Sequence, residues 1–219
     1  SLLDTLAGIL KPTRGRVLID GEPADPKRQS ISFVFQEPST FPWLTVRQNV
    51  ATGLEIKGTP RAQLDAKVAE ILEVVGLRSA ESFFPYQISG GMKQRVAIAR
   101  AFATDADLIL MDEPFVSLDQ PTRERMQQEV LDIWRHRKRT IIFVTHNLEE
   151  AAFLGDRIII LSAKPGRVVA DLPVNLPRPR DLLSAEFLEL RARCMGPLHP
   201  PAGAAHDVKS EAKLQANQK

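Results

Sequence analysis

The chain has 219 residues, and 29 basic against 27 acidic side chains give it a formal net charge of +2. This near balance argues against broad nucleic-acid binding, the single cysteine excludes a disulfide framework, and no apolar stretch is long enough to span a bilayer. The length allows one sizeable hydrophobic core, in one or two lobes.

The N-terminal third predicts a helix and two strands. Leucines at positions 2, 3 and 6 are typical of one face of a helix. A turn at 11–15 precedes a predicted strand over 17–21, which ends in a tight turn. The apolar run 31–35 predicts another strand that leads directly into Gln36. An amide side chain at such a strand end can reach a metal ion or an attacking water.

From residue 42 to about residue 87 the pattern becomes helical. The motif Thr45-x-x-Gln48 fits a capping box, and a second helix is predicted from Pro60 to a closing Gly76. We expect these helices to form an inserted lobe. The loop residues 41–44 either pack in the core or form a surface that holds a short helix of a membrane partner, and the sequence leaves both open.

The segment Ser89-Gly90-Gly91 opens the next predicted helix. Glycines let a ligand approach the backbone closely, and the unpaired N–H groups of a helix start carry partial positive charge. Together with the Ser89 hydroxyl they form a candidate anion site. An ordinary serine cap after a glycine-rich loop is the alternative.

Four apolar residues at 108–111, without alternation, predict a strand that is buried on both faces in a parallel sheet. The strand ends in Asp112-Glu113, and open α/β sheets bind ligands at the carboxyl ends of their strands. Asp112 can hold Mg²⁺ through water, and Glu113 can polarise or deprotonate an attacking water. A strand followed by an acidic helix cap is the alternative.

A helix over 122–139 and a strand over 140–145 follow, and the strand leads into His146. Histidine titrates near neutral pH, so His146 can bridge a γ-phosphate and an attacking water, although a structural role is the alternative. Two more strands are predicted at 157–161 and 167–174.

The order of the polar motifs resembles that of the ATP-binding subunit of an ABC transporter. The motifs are Gln36, Ser89-Gly90-Gly91, Asp112-Glu113, Ser117-Leu118-Asp119 and His146. The resemblance implies an α/β fold of the P-loop NTPase (RecA-like) type, with a mostly parallel sheet and the inserted helical lobe at about 42–100. It implies an ATPase domain over 1–181. A C-terminal helix at 182–195 is predicted to follow, and the segment 196–219, which is rich in Pro, Ala, Lys and Gln and has almost no large apolar residues, predicts a disordered tail.

The resemblance also implies a role for each strand-end residue. Glu113 would be the catalytic glutamate, and Asp112 would be the aspartate on the metal side. Gln36 would contact both Mg²⁺ and the attacking water, and His146 would be the switch histidine.

Other motif residues would act between two subunits. The signature residues would close over an ATP molecule bound by the opposite subunit, and they are Ser89, Gly90, Gly91 and Gln94. Asp119 would lie in a loop that links the two sites.

The ligands implied are ATP and Mg²⁺. The implied partners are a second ABC subunit, either a copy of this chain or a related one, and membrane permease subunits. An extracytoplasmic solute-binding protein would act indirectly, and no nucleic acid is expected. The protein would sit peripherally at the cytoplasmic face of the inner membrane. Several segments resemble the importer branch for nitrate, sulfonate and taurine, namely 35–38, 41–50, 90–95, 164–167 and 176–181.

The chain departs from the family at its start. It contains no Gly-x-x-x-x-Gly-Lys-Ser/Thr run to hold phosphates. Ser1 aligns just after the residue that binds Mg²⁺ in that run, so it would be a remnant of the phosphate loop. We therefore expect a longer protein that hydrolyses ATP. The alternatives are a non-catalytic fragment that pairs with a full ATPase subunit and regulates it, or a soluble ABC-type ATPase of repair or translation.

Overall fold

The computed structural model describes residues 2–25, 29–137 and 139–198, and the chain divides into two compact units, 1–145 and 146–219. The first unit contains α1 (Leu2–Leu6), β1 (Leu18–Ile19), β2 (Glu22–Pro23), β3 (Ile31–Val34), α2 (Val46–Ile56), α3 (Arg61–Val74), α4 (Gly90–Ala103), β4 (Leu108–Asp112), α5 (Gln120–Arg137) and β5 (Thr140–Val144). The second contains α6 (Leu148–Leu154), β6 (Arg157–Leu161), β7 (Val168–Pro173) and α7 (Ala185–Met195). The α/β class is confirmed, whereas α6 has no counterpart among the predicted elements.

A three-stranded parallel sheet in the order β3–β4–β5 forms the centre of the first unit. All four apolar residues of β4, at 108–111, are buried, as expected for a strand that is covered on both faces. On one face, Leu3 and Ala7 of the α1 segment pack with Leu108 and Leu110. The middle strand is therefore the most enclosed part of this sheet.

Two N-terminal details differ from the prediction. Leu2 is exposed, because the buried positions of this segment are Leu3 and Ala7, four residues apart on one helix face. The strand predicted over 17–21 shortens to Leu18–Ile19. Asp20 and Gly21 have positive φ angles of 52° and 83°, and they turn the chain back into β2.

The helical lobe consists of α2, α3 and α4, with 3₁₀ turns at Arg78–Ala80 and Pro85–Gln87. The predicted capping box is present, since Thr45 Oγ1 accepts from the Gln48 N–H at 3.2 Å and Gln48 Oε1 accepts from the Thr45 N–H at 2.9 Å. The apolar stripe predicted for the second helix is buried, and it comprises Leu64, Val68, Ile71, Leu72 and Val75.

Asn49, on α2, organises the loop between β3 and α2. Its side chain is completely buried. The Asn49 Oδ1 atom accepts from the Phe41 N–H at 2.7 Å, and its amide nitrogen donates to the carbonyl of Phe41 at 3.1 Å. The same nitrogen lies 2.9 Å from the Leu44 carbonyl and 3.0 Å from the Thr45 carbonyl. One side chain thus lies within hydrogen-bond distance of four backbone groups of this loop.

The second unit pairs β6 with β7 in antiparallel fashion. Its core combines residues of α6, β6 and α7, among them Ala152, Ile158, Ile160, Phe187, Leu190 and Cys194. The buried Arg180 Nη1 donates to the carbonyls of Ala152, Phe153 and Gly155, at 2.9, 2.8 and 2.8 Å. This guanidinium caps the C-terminal end of α6, and burial lowers its pKa to about 10.

The C-terminal helix runs over Ala185–Met195, and Ser184 Oγ accepts from the Phe187 N–H at 3.2 Å at its start. Gly196–Leu198, predicted as the start of the tail, form a 3₁₀ turn instead, and the remainder of the predicted tail lies outside the described residues. No described helix combines the length and the apolar character that crossing a membrane requires. The proposed ATPase domain boundary at residue 181 stays a prediction.

We expect Asn49→Ala to lower the free energy of unfolding by about 2–3 kcal/mol, because buried backbone groups lose their partner. Denaturation in urea measures the change. Thr52→Ala is the matched control on α2, since the Thr52 hydroxyl donates to the Gln48 carbonyl within the helix. Equal losses for the two variants would show that Asn49 does not organise the loop.

Candidate functional site

Two acidic residues stand at the carboxyl end of the central strand. β4 ends at Asp112, and Glu113 follows it. The neighbouring β3 ends at Val34, two residues before the exposed Gln36, and Asp112 pairs with Val144 at the end of β5. Because the three strands are parallel and adjacent, their carboxyl ends lie at one edge of the sheet. That edge carries Gln36, Asp112 and Glu113.

The backbone of Glu113 is strained. Its φ angle is 43°, in the left-handed region that residues with a Cβ atom rarely adopt. The Glu113 N–H donates to the Val144 carbonyl at 2.9 Å, and Phe115 behind it is completely buried. These neighbours hold the strained conformation. Such strain is typical of functional sites, where the surrounding structure determines the position of one residue.

Negative charge accumulates around Asp112. Burial raises the pKa of the Asp112 carboxyl, and the charges of Glu113 and Asp4 raise it further. Carboxylates that repel one another favour a divalent cation, which would reverse this shift. Asp112 therefore fits Mg²⁺, an ion that takes only one or two protein carboxylates. The effect of Asp4 on the pKa of Asp112 was not predicted from the sequence, because in α1 only the spacing of the leucines indicated a structural role.

The helix start at Ser89 is exposed, and its two glycines differ. Ser89 Oγ caps α4 by accepting from the Met92 N–H at 3.2 Å. A Cβ atom on Gly91 would lie 3.1 Å from Leu118 Cδ2, so packing inside the unit restricts that position. A Cβ atom on Gly90 would meet no described atom within 4 Å. Contacts within the described chain therefore do not require glycine at position 90. A ligand or a second chain that approaches the backbone closely would require it.

Asp119 has a structural role at the start of α5. Its Oδ2 atom accepts from the Thr122 N–H at 3.3 Å, and hydrogen bonds from Thr122 lower the pKa of the Asp119 carboxyl. The preceding Leu118 is buried against Gly91. Leu118 of the predicted loop motif is therefore close to Gly91 of its own subunit, while the role of Asp119 between two sites stays a prediction.

Gln94 lies inside its own unit. Its side chain is completely buried, and its Nε2 atom donates to the Phe35 carbonyl at 3.2 Å. The predicted contact of Gln94 with ATP on a second subunit stays a prediction. No local pattern predicts the bond of Gln94 to Phe35, since the two residues are 59 positions apart.

Arg100, at the other end of α4, contacts the same loop. Its Nη2 atom donates to Ser39 Oγ at 2.8 Å, and its guanidinium carbon lies 5.1 Å from the centre of the Phe41 ring. Burial lowers the pKa of this guanidinium. The distance to Phe41 is within the range of a cation–π contact.

Two further predicted site residues are His146 and Ser1. His146 follows β5 after one intervening residue, begins the second unit and is exposed. Ser1 lies outside the described residues. The roles implied for both by the family resemblance stay predictions.

Exposed aromatic side chains lie before α2 and in the segment that pairs with its first residue. Trp43 is 70% exposed, and its ring centre lies 5.7 Å from that of Phe41. The Val46 N–H donates to the Phe83 carbonyl at 2.8 Å, which brings Phe83 to the same end of the helix, and Tyr86, three residues further along the chain, is also exposed. We call the three exposed residues Trp43, Phe83 and Tyr86 the aromatic patch. The sequence left open whether loop residues 41–44 pack in the core or form a surface for a membrane partner. Because Trp43 is exposed, core packing does not apply to this residue.

The chain is similar to named transport proteins. Residues 1–116 match the ABC transporter family. The chain is 44% identical over 195 residues to an aliphatic sulfonates import ATP-binding protein of Bacillus cereus, covering 89% of this chain and 76% of that protein. It is 40% identical over 220 residues to a taurine import ATP-binding protein of Rhizobium johnstonii, covering 97% and 82%.

The fold is also similar to a solved structure, a dimeric ATP-binding cassette in a post-hydrolysis state bound to ADP and Pi. The TM-score is 0.71 at 33% identity, and the match covers 80% of this chain and 79% of that one. The family match over more than half of the chain, the relatives and the shared fold together show that the chain belongs to the ABC transporter family.

Proposed function

We propose that this chain is the ATP-binding and ATP-hydrolysing subunit that energises an importer of a small solute. The observation that carries the proposal is the edge of the parallel sheet, where Asp112 and Glu113 end the buried central strand beside the loop of Gln36. The strained backbone of Glu113 supports a functional rather than a capping role for this pair.

In this proposal the strand-end residues position and activate the water that attacks the γ-phosphate. Glu113 accepts its proton, and Gln36 orients it. Asp112 and Gln36 would hold Mg²⁺, which when bound neutralises phosphate charge. His146 contacts the γ-phosphate. Phosphoryl transfer of this kind depends on positioning and electrostatics rather than on a covalent enzyme intermediate.

The site is completed by a second subunit in a head-to-tail dimer. Ser89, Gly90 and Gly91 of one subunit close over ATP held by the other, and Asp119 links the two sites. Ser1 would be the remnant of the phosphate loop that holds ATP in its own subunit. The open space beside Gly90 supports this arrangement, because a phosphate can approach the backbone there. The dimeric state of the similar solved structure also supports it.

We place the protein peripherally at the cytoplasmic face of the inner membrane, bound to permease subunits that an extracytoplasmic solute-binding protein supplies. The aromatic patch is the proposed permease contact, since exposed aromatic side chains are common anchors of protein interfaces. The named relatives favour a sulfonate or taurine solute, with nitrate as the third member of the resembling branch.

The second candidate function is that of a non-catalytic ABC fragment that pairs with a full ATPase subunit. The strained Glu113 argues against it, because a site without chemistry has no use for a strained carboxylate.

We expect Glu113→Gln in the full natural protein to bind ATP but to turn it over at least about tenfold more slowly, because general-base groups contribute about 10²–10⁴-fold. Steady-state phosphate release and nucleotide binding are the measurements. Glu55→Gln, an exposed carboxylate on α2, is the control and should leave turnover unchanged. Unchanged turnover in Glu113→Gln would remove the catalytic assignment.

We expect Ser89→Arg to block closure of the dimer on ATP while a single subunit still binds nucleotide, because the exposed side chain would fill the approach to Gly90. Sedimentation with ATP measures dimer formation. Ser184→Arg is the matched control, since Ser184 caps α7 through a bond of the same 3.2 Å length. Loss of ATP binding by the single subunit would contradict the two-sided site.

We expect Trp43→Ala to weaken copurification with the permease about tenfold or more, as for an aromatic interface anchor. Pull-down from detergent-solubilised membranes measures the association. Ile56→Ala is the control, because Ile56 is an apolar side chain on α2 that is 83% exposed. If both variants retain the permease equally, the aromatic patch is not the contact.

A further inference from the structure

The chain between β7 and α7 contacts the end of a short helix, α6. We define the arginine strap as residues 174–181, which include the segment 176–181 that resembles the importer branch. Val174, at the start of the strap, is buried in the core of the second unit, and its N–H donates to the Asp156 carbonyl at 2.9 Å. The proposed function gives the strap no role, although it carries two arginines.

The two arginines bind the carbonyl end of α6. The carbonyls of residues 152–155 all lie within hydrogen-bond distance of a guanidinium nitrogen. Arg180 Nη1 is close to three of them, at 2.9, 2.8 and 2.8 Å, and Arg178 Nη2 donates to the fourth, that of Leu154. Arg178 Nη1 also donates to the Asp156 carboxylate, and Arg180 Nη2 lies 3.8 Å from the same oxygen. Because the last carbonyls of a helix have no partner within it, the strap supplies partners to α6.

Helix α6 is too short to hold its own position. It has seven residues, whereas isolated helices shorter than about 12–15 residues are marginal in water. At its start, Asn147 Oδ1 accepts from the Glu149 N–H at 2.9 Å. His146 directly precedes this cap. At about 1.5 Å per residue, the arginines and the cap are only about 10 Å apart along the helix, so the place of one end sets the place of the other.

The usual cap of a helix end is not used here. Gly155 stands at the end of α6 with a φ angle of −76°, outside the left-handed region in which glycine commonly caps a helix. Two cations lie close together there instead, since burial and the charge of Arg178 lower the pKa of Arg180 to about 10. Such burial is unfavourable, and apolar replacements of buried charged groups are often neutral or stabilising. A need for stability alone therefore does not account for the pair.

We propose that Arg178 and Arg180 are positioning residues, which fix α6 from its carbonyl end and thereby hold the His146 imidazole in one orientation. The strap then acts through the length of α6 on the residue that precedes its cap. The expected effect on hydrolysis rests on the proposed function, in which His146 contacts the γ-phosphate, whereas the orientation of His146 by the strap does not.

Two measurements on the full natural protein test the orientation. Amide hydrogen exchange over 147–155 should rise at least about tenfold in Arg180→Met, because α6 loses hydrogen bonds at one end and opens locally. Exchange in β6 and β7 should stay unchanged. The NMR signal of the His146 imidazole, assigned by its loss in His146→Gln, should shift or broaden in the same variant.

Two further variants keep the test interpretable. Arg178→Met should change the same segment and the same imidazole signal by smaller amounts, because Arg178 is less buried than Arg180 and contacts one carbonyl of α6. It serves as the test if Arg180→Met does not fold. Arg157→Met is the matched control, since this arginine of the same unit pairs with Asp171 across β6 and β7, at 2.8 and 2.6 Å. The control should change neither measurement.

The kinetics of ATP hydrolysis separate positioning from stability. In protein with its permease, the kcat of Arg178→Met and Arg180→Met should fall at least about fivefold while KM changes less than about twofold, because a displaced His146 affects the transition state rather than nucleotide binding. A purely structural role would lower the unfolding midpoint without this difference between kcat and KM.

Two results would overturn the proposal. One is an imidazole signal of His146 in the strap variants that equals the signal in Arg157→Met. The other is an exchange increase that extends evenly over the second unit, because the arginines would then only stabilise it. If instead α6 and His146 respond as expected but the unsubstituted protein with its permease hydrolyses no ATP, the proposed function fails while the positioning stands.

Discussion

Burial of the central strand on both faces is the constraint on which the rest of the first unit depends. The run of apolar residues at 108–111 excludes water from both sides of the sheet, so charged side chains can stand only where the strand ends. Asp112 and Glu113 occupy that end. Two carboxylates this close together repel each other, and a cation or a phosphate-bound metal would balance their charge. The buried strand therefore sets the position of the charges on which the proposed chemistry depends.

Much of this arrangement could be predicted from the sequence, because it depends on interactions between residues that are close together in the chain. The apolar run of β4, the capping box at Thr45 and the serine cap of α4 each depend on residues that are neighbours in the chain. The order of the polar motifs was informative for the same reason, since each motif follows a recognisable strand or precedes a recognisable helix.

What the sequence could not reveal depends on contacts between distant residues. The burial of Gln94 and the stacking of Arg100 on Phe41 arise only when α4 packs beside the loop, and neither residue type predicts such a partner. The charge of Asp4 near Asp112 is of the same kind. The positive φ of Glu113 also had no local sign, because glutamate is not a residue that favours this conformation.

The strained backbone at Glu113 lowers the stability of the fold, whereas the carboxylate at the same position is needed for the proposed activity. Glycine adopts a φ of 43° without the cost of about 1–2 kcal/mol that a Cβ atom brings. A directed-evolution experiment that rewarded heat resistance alone would therefore favour glycine at this position, and it would remove the carboxylate proposed as the base in the same step. Such libraries need a selection for transport at every round.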